Sequence, residues 1–361
     1  MLTRQISTGL FYRTLTALIL VMQLTGCASL EFYQQAITGQ GRLLLERKAV
    51  DELIVDPETD PGLRERLELV REILVFAEDA GLPVENAYTS YVATGQPFIV
   101  WNVFAAPELE LRLETSCFPI AGCVTYRGYF NQQDAQAHAA LLKREGYDVY
   151  VGGVTAYSTL GWFDDPLLDT FLFSGEEYLA ALLFHELAHR LVYVKGDTRF
   201  NESFATAVEQ VILRDWLTSR GDRQRYARYL ASEARRQSVL ELIDQLRQEL
   251  RVVYGSEADS VMKLRTKSEL IQQSVADYRA MADQWPEGDE FSNWMKGEIN
   301  NAKLETVADY NSWVPVMRTY LQANGLPAFV AEMERLARLP QSKRNLALES
   351  LPVLLRAVGN R

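Results

Sequence analysis

Histidine is scarce in this 361-residue chain: only His138, His185 and His189 are present. A catalytic zinc takes three protein ligands and keeps a position open, so this shortage points to a carboxylate as the third ligand of any such site. Cysteine is equally sparse, at Cys27, Cys117 and Cys123, and no second Cys or His pair stands near for a Cys-based zinc site. There is no glycine-rich phosphate loop, internal repeat or low-complexity tract. The apolar stretch Leu15–Met22 is too short to span a bilayer by itself. The net charge is −11, which argues against nucleic acid as a partner and is compatible with basic or amine-bearing substrates. The length allows one large domain or two small ones around a substantial core.

What is present centres on residues 174–211, which read HELAHRLVYVKGDTRFNESFATAVE at their heart. His185 and His189 are four apart, so on a helix both imidazoles leave one face, one turn apart, and can grip one Zn²⁺. Glu186 is placed to take a proton from water as general base. Ser174 with Glu177 reads as a capping box, and Lys195-Gly196 as a basic last turn with a glycine stop. Glu202, thirteen residues beyond His189 and after a turn at Gly196-Asp197, is the candidate third ligand. Glu209 shares its helix face, either orienting a histidine ligand or pairing with Arg190 or Arg214.

HELAH followed by NESFATAVE resembles the gluzincin metallopeptidases, which pair HExxH with a Glu in a downstream NExxA-type helix. The wording is closest to the zinc aminopeptidases of that clan, although the spacer is shorter here. With GWFDDPLL before the helix and NNAKL far after it, the chain resembles a bacterial family of lipoproteins described as predicted aminopeptidases. The resemblance implies a zincin-like α+β fold: a small mixed sheet, an active-site helix pair, and a mainly helical C-terminal half. It implies a peptide substrate and a substrate-pairing strand at Val154, Ala156, Tyr157 and Ser158; an interior strand and loop is the alternative there. It also implies a Tyr or His on a later helix to stabilise the oxyanion. No histidine follows His189, so Tyr310 is favoured, with Tyr278 as rival. A free amino terminus is usually read by carboxylates near the zinc, and no such Glu is recognisable upstream, so exopeptidase action rests on the resemblance. A cell-wall peptide hydrolase would share every catalytic residue; a zinc-binding scaffold without turnover would have no use for Glu186.

The N-terminus has a basic region at Arg4 and Arg13, the apolar stretch, and then Leu24-Thr25-Gly26-Cys27, which resembles a bacterial lipobox. That resemblance implies a signal peptide over 1–26, lipid on Cys27 and a place in the cell envelope; Ala28 favours the outer membrane, facing the periplasm. Removing 1–26 leaves 335 residues and takes two arginines and no acids, so the charge goes from −11 to −13. In that oxidising compartment Cys117 and Cys123, flanking Pro119 and Gly122, read as a local disulfide contributing about 2 kcal/mol.

Patterning divides the mature chain into a helical N-terminal layer (27–95), a metallopeptidase core (96–218) and a helical part completing the cleft (219–361). Helices are expected at 30–45, 61–80 and 132–145, and strands at 97–107, 109–115, 124–130 and 147–155. Asp164-Asp165-Pro166 reads as a turn capping a short helix, with ammonium binding as the alternative. Long amphipathic helices are expected over 223–253 and 257–284, then helices over 291–310, 311–321 and 327–339, with Pro340 as a stop.

Overall fold

A computed structural model describes residues 34–35, 38–118, 122–156, 164–285, 291–307 and 313–358. Residues 38–45 are helical, and β1 (Lys48–Ala49) leads into a short helix, α1 (Val50–Val55), absent from the expected set. Asp60 caps α2 (Pro61–Asp79) by accepting from the Leu63 amide, and Pro61 sits where its missing N–H leaves no bond unmade. Leu67, Val70, Ile73 and Ala77 recur at helical spacing and are fully buried, which turns this face of α2 inward.

The strands that follow are short except for two. They are β2 (Ser90–Val92), β3 (Val100–Pro107), β4 (Ser116–Phe118), β5 (Gly122–Val124) and β6 (Arg127–Tyr129). Helix α3 (Gln132–Arg144) then leads to β7 (Tyr147–Val154) and, later, β8 (Leu167–Leu168). β3 lies between β6 and β7 in an antiparallel sheet whose register runs from Val100 opposite Val154 to Pro107 opposite Tyr147. Trp101, Val103 and Val149 from this sheet pack on Ala135 and Ala139 of α3. The mixed sheet is a smaller one, β1-β2-β8, with β2 antiparallel to β1 and parallel to β8. β4 and β5 form a hairpin joined by the Cys117–Cys123 disulfide, S–S 2.07 Å.

The strand expected over 109–115 is absent. Pro107 ends β3, the Glu110 amide turns back to the Pro107 carbonyl, and the carbonyls of Glu108 and Glu110 bond to Asn301 instead of a neighbouring strand.

After a single turn, α4 (Asp169–Leu172), the chain is helical: α5 (Glu176–Ala188), α6 (Thr198–Ser219), α7 (Arg223–Gly255) and α8 (Ser260–Ala282). The expected helix over 291–310 is two short pieces, α9 (Ser292–Lys296) and α10 (Asn301–Glu305), because Gly297 is extended and Asn300 restarts the helix as its N-cap. Then come α11 (Val314–Asn324), α12 (Leu326–Ala337) and α13 (Gln341–Val358). α12 has ended by Ala337, ahead of the stop expected at Pro340, and the Pro340 carbonyl accepts from Arg344 in the first turn of a further helix, α13.

The fold is α+β, small sheets within a helical majority. The largest apolar cluster joins α2, α5 and α6 with Phe329, Met333 and Leu336 of α12 and with β2 and β8. A second cluster lies inside the α7–α8 hairpin, around Val239, Leu250 and Tyr278. A polar joint ties that hairpin to the sheet. The buried Asn301 side chain donates to the carbonyls of Pro107, Glu108 and Glu110 and accepts from the Tyr254 hydroxyl, while Lys267 reaches Asp148 at 2.6 Å. A second buried polar contact, Arg344 to Asp197 at 2.6 Å, fixes α13 against the start of α6. No described helix is long and apolar enough to cross a membrane.

Candidate active site

Helix α5 carries the centre on its last turn. Leu179, Leu183, Phe184 and Leu187 are fully buried, and that packing holds the helix against α6. Its ends differ from the expected ones. Gly175 is the N-cap, and the Ser174 hydroxyl donates back to the Phe171 carbonyl instead of capping the helix. The helix closes at Ala188 with His189 as C-cap, well before Lys195-Gly196. Asn201 accounts for the early stop: its side chain both donates to and accepts from the Val194 backbone, pinning the return turn. His189 keeps a right-handed helical conformation, so the one-turn relation to His185 survives. Asp197 caps α6 through the Phe200 amide, which starts the helix that carries Glu202 and Glu209.

Glu202 meets both imidazoles. One carboxylate oxygen is 3.3 Å from His185 Nε2 and the other is 3.7 Å from His189 Nε2. The rings stand nearly perpendicular, with centroids 4.9 Å apart. One ligand atom from each of the three residues lies within 4.8 Å of the others. Donors at the ~2.0–2.2 Å typical of zinc around a tetrahedral ion would sit roughly 3–3.5 Å apart, so this N, N, O set fits one small cation. The opposite nitrogen of His185, Nδ1, is 3.0 Å from Glu209. Arg190 is engaged by Glu85 and Arg214 by Asp215, so Glu209 goes to the imidazole. His189 Nδ1 is buried with no hydrogen-bond partner among the described residues.

The electrostatics follow from this crowding. Burial opposes a charge on His185, but hydrogen bonds to Glu202 and Glu209 outweigh it and raise its pKa to about 10. Burial and the neighbouring His185 charge lower His189 to about 4. Burial raises Glu186 to about 7, with Glu202, Asp165 and Glu209 adding to the shift against the attraction of His185. Burial works against ionisation of Glu202, yet its bond to His185 and the charges of both histidines hold its pKa below the ordinary value. The three ligand candidates and Glu186 thus form one coupled group.

The other candidates are dispersed. Val154 closes the β3–β7 register, its carbonyl accepting from Ile99, and β7 is an edge of its sheet. Ala156 packs partly buried on the main core, while Tyr157, Ser158, Tyr310 and Cys27 lie outside the described residues. Tyr278 is buried in the α7–α8 hairpin cluster, which includes none of the histidines. Asp165 does not cap α4: it is buried, and its backbone carbonyl accepts from Tyr88.

Tyr88 and Tyr229 are among the tyrosines that the sequence did not single out. Tyr88 is buried at φ +61°, an unusual backbone for a bulky residue, and burial, Glu186 and Asp165 together push its pKa well up. Arg190, one turn beyond Glu186, clamps the loop before it through the carbonyls of Pro83 and Val84 and the Glu85 carboxylate. Tyr229, from α7, lines a cavity of about 570 Å³ that also touches His185, Glu186 and Glu209. Tyr88 lies 98 residues before Glu186 and Tyr229 43 residues after it, and no local pattern marks either one.

Fold and site together define an α+β protein with a partly buried His–His–Glu group able to hold a metal ion and an acid beside it. The chain belongs to the family described as "Putative aminopeptidase", which matches residues 31–348. No curated protein and no solved structure matches the chain. Family membership points to a peptidase activity.

Proposed function

We propose that the protein is a zinc metallopeptidase of gluzincin type acting as an aminopeptidase, with a zincin-like arrangement around α5 and α6. The observation that carries this reading is the convergence of His185, His189 and Glu202 with Glu186 beside them. When bound, zinc would supply Lewis-acid polarisation of the scissile carbonyl and lower the pKa of water. Glu209 accepts from His185 Nδ1–H, which fixes the tautomer and leaves Nε2 as a ligand atom. Glu186 takes the proton from the attacking water and delivers it to the leaving amine. The rim formed by Val154, Ala156, Tyr157 and Ser158 would pair with substrate backbone, and Tyr310 would donate to the developing oxyanion. Lipid on Cys27 would tether the enzyme to the outer membrane, facing the periplasm.

The test is zinc content and peptide turnover of the full chain in detergent, on matched peptides with free and blocked amino termini. Zinc near one per chain, with cleavage only of free-amino peptides, is expected. Cleavage of both kinds would replace the aminopeptidase reading with an endopeptidase, and turnover undiminished by chelation would reject the metal mechanism.

A further inference from the structure

The cavity beside Glu186 has a composition that the chemistry above does not use. It follows one face of α5 from Glu186 and His185 through Leu182 and Ala181 to Tyr178 and Glu177. That is ten residues, nine rises, or roughly 14 Å of helix. Leu213 of α6 and Tyr229 and Ser232 of α7 make the opposite wall. Its volume of about 570 Å³ falls within the roughly 300–1,000 Å³ of ligand pockets, and one end is the general base itself.

Apart from Glu186, the charges on its wall are already engaged. Arg228 is 3.8 Å from Glu177, and Arg236 is 3.6 Å from Glu233. Glu233 also takes a hydrogen bond from Gln210 at 2.6 Å, Glu209 is held by His185, and Arg235 has a partner of its own. A charged side chain entering here would have to displace one of these partners. The Tyr229 hydroxyl differs: it is buried and has no hydrogen-bond partner among the described residues. Burial, then Glu233 and Glu209, push its pKa far above the ordinary value, so the phenol keeps its proton. A buried hydroxyl left without a partner is costly, and a ligand that bonds to it removes that cost.

We propose that this cavity is a side-chain subsite for a bulky, uncharged residue with a hydrogen-bonding tip, tyrosine above all, and that Tyr229 is its specificity-determining residue. The apolar stretch at Ala181, Leu182 and Leu213 covers the ring, and Tyr229 bonds the tip. The inference rests on the peptidase reading, because it places one of the two residues flanking the scissile bond in the cavity.

Two peptide series, each varying one flanking residue among Ala, Phe, Tyr, Glu and Lys, test it by kcat/KM with the full chain in detergent. In one series Tyr should exceed Phe, Phe should exceed Ala, and Glu and Lys should be slowest. Tyr229→Phe should lower the Tyr-to-Phe ratio by about tenfold, the size of one neutral hydrogen bond. Leu182→Trp, which fills the cavity from the other wall, should lower the Tyr and Phe rates relative to Ala. Preference for Ala in both series, or a Tyr-to-Phe ratio unmoved by Tyr229→Phe, overturns the proposal. If the wild type cleaves no peptide, the peptidase reading fails, and the cavity is read separately. Binding of N-acetyl-tyrosinamide over N-acetyl-phenylalaninamide, measured by saturation-transfer NMR and abolished by Tyr229→Phe, would support the subsite; equal binding of the two would reject it.

Discussion

Replacing Glu186 by Gln in the metal-free protein should make its stability less dependent on pH. Folding buries Glu186 among other acids and raises its pKa from 4.5 to about 7. A carboxyl raised on folding binds more protons in the native than in the unfolded state between those two values, so unfolding free energy falls as pH rises through that window. At about 1.4 kcal/mol per pH unit, the loss is about 3 kcal/mol, complete above pH 7. Gln carries no such charge and removes this decline. His185, raised from 6.5 to about 10, produces a second decline between those values, present in both proteins but smaller in the variant, which lacks the Glu186 charge that adds to the His185 shift. The quantity to measure is therefore the difference in urea unfolding free energy between Glu186→Gln and wild type, both treated with chelator, from pH 4.5 to 8. It should grow by about 3 kcal/mol in favour of the variant and then level off, a midpoint displacement of roughly 0.5–1 M urea. A difference that stays constant with pH would mean that Glu186 ionises as freely in the fold as in the unfolded chain, and the burial argument would fail.

His185→Ala, His189→Ala and Glu202→Ala should each lose bound metal, since two remaining donors hold a cation weakly, and elemental analysis after dialysis reads this directly. Glu209→Ala should retain metal at about 10–100-fold weaker affinity, and Glu186→Gln should retain it fully while turnover falls by several orders of magnitude. Metal retained by Glu202→Ala but lost by Glu209→Ala would reverse the two assignments. Asn301→Ala strands three backbone carbonyls and the Tyr254 hydroxyl, and should cost about 2–4 kcal/mol in urea unfolding. A cost under ~0.5 kcal/mol would show that water replaces Asn301 without penalty. Cys27→Ser should move the protein out of the detergent phase on phase partitioning; unchanged partitioning would remove the lipid anchor from the proposal.

The sequence by itself determined the spacing of His185, Glu186 and His189, because helical periodicity is a property of neighbouring residues. Scarcity of histidine pointed onward to an acid, and the structure brings Glu202 within 3.3 Å of His185. The long helices α2, α7 and α8 were legible for the same local reason, since apolar spacing and caps act within one or two turns, while the α+β class came with the family resemblance. The ends of α5 were not, because Asn201, on the next helix, decides where the turn after His189 is held. Residues 109–115 have strand-like composition, but Asn301 takes the Glu110 carbonyl, and the Glu114 amide alone bonds back to β3, at Ala105, which is too little for a ladder. Glu209 had three possible partners in sequence; only the packing of α5 on α6 put His185 at 3.0 Å and left Arg190 and Arg214 to other acids. Tyr88 and Tyr229 became site residues only through tertiary structure. Their neighbours are set by how a loop and a distant helix dock on α5, and no periodicity within either segment encodes that contact.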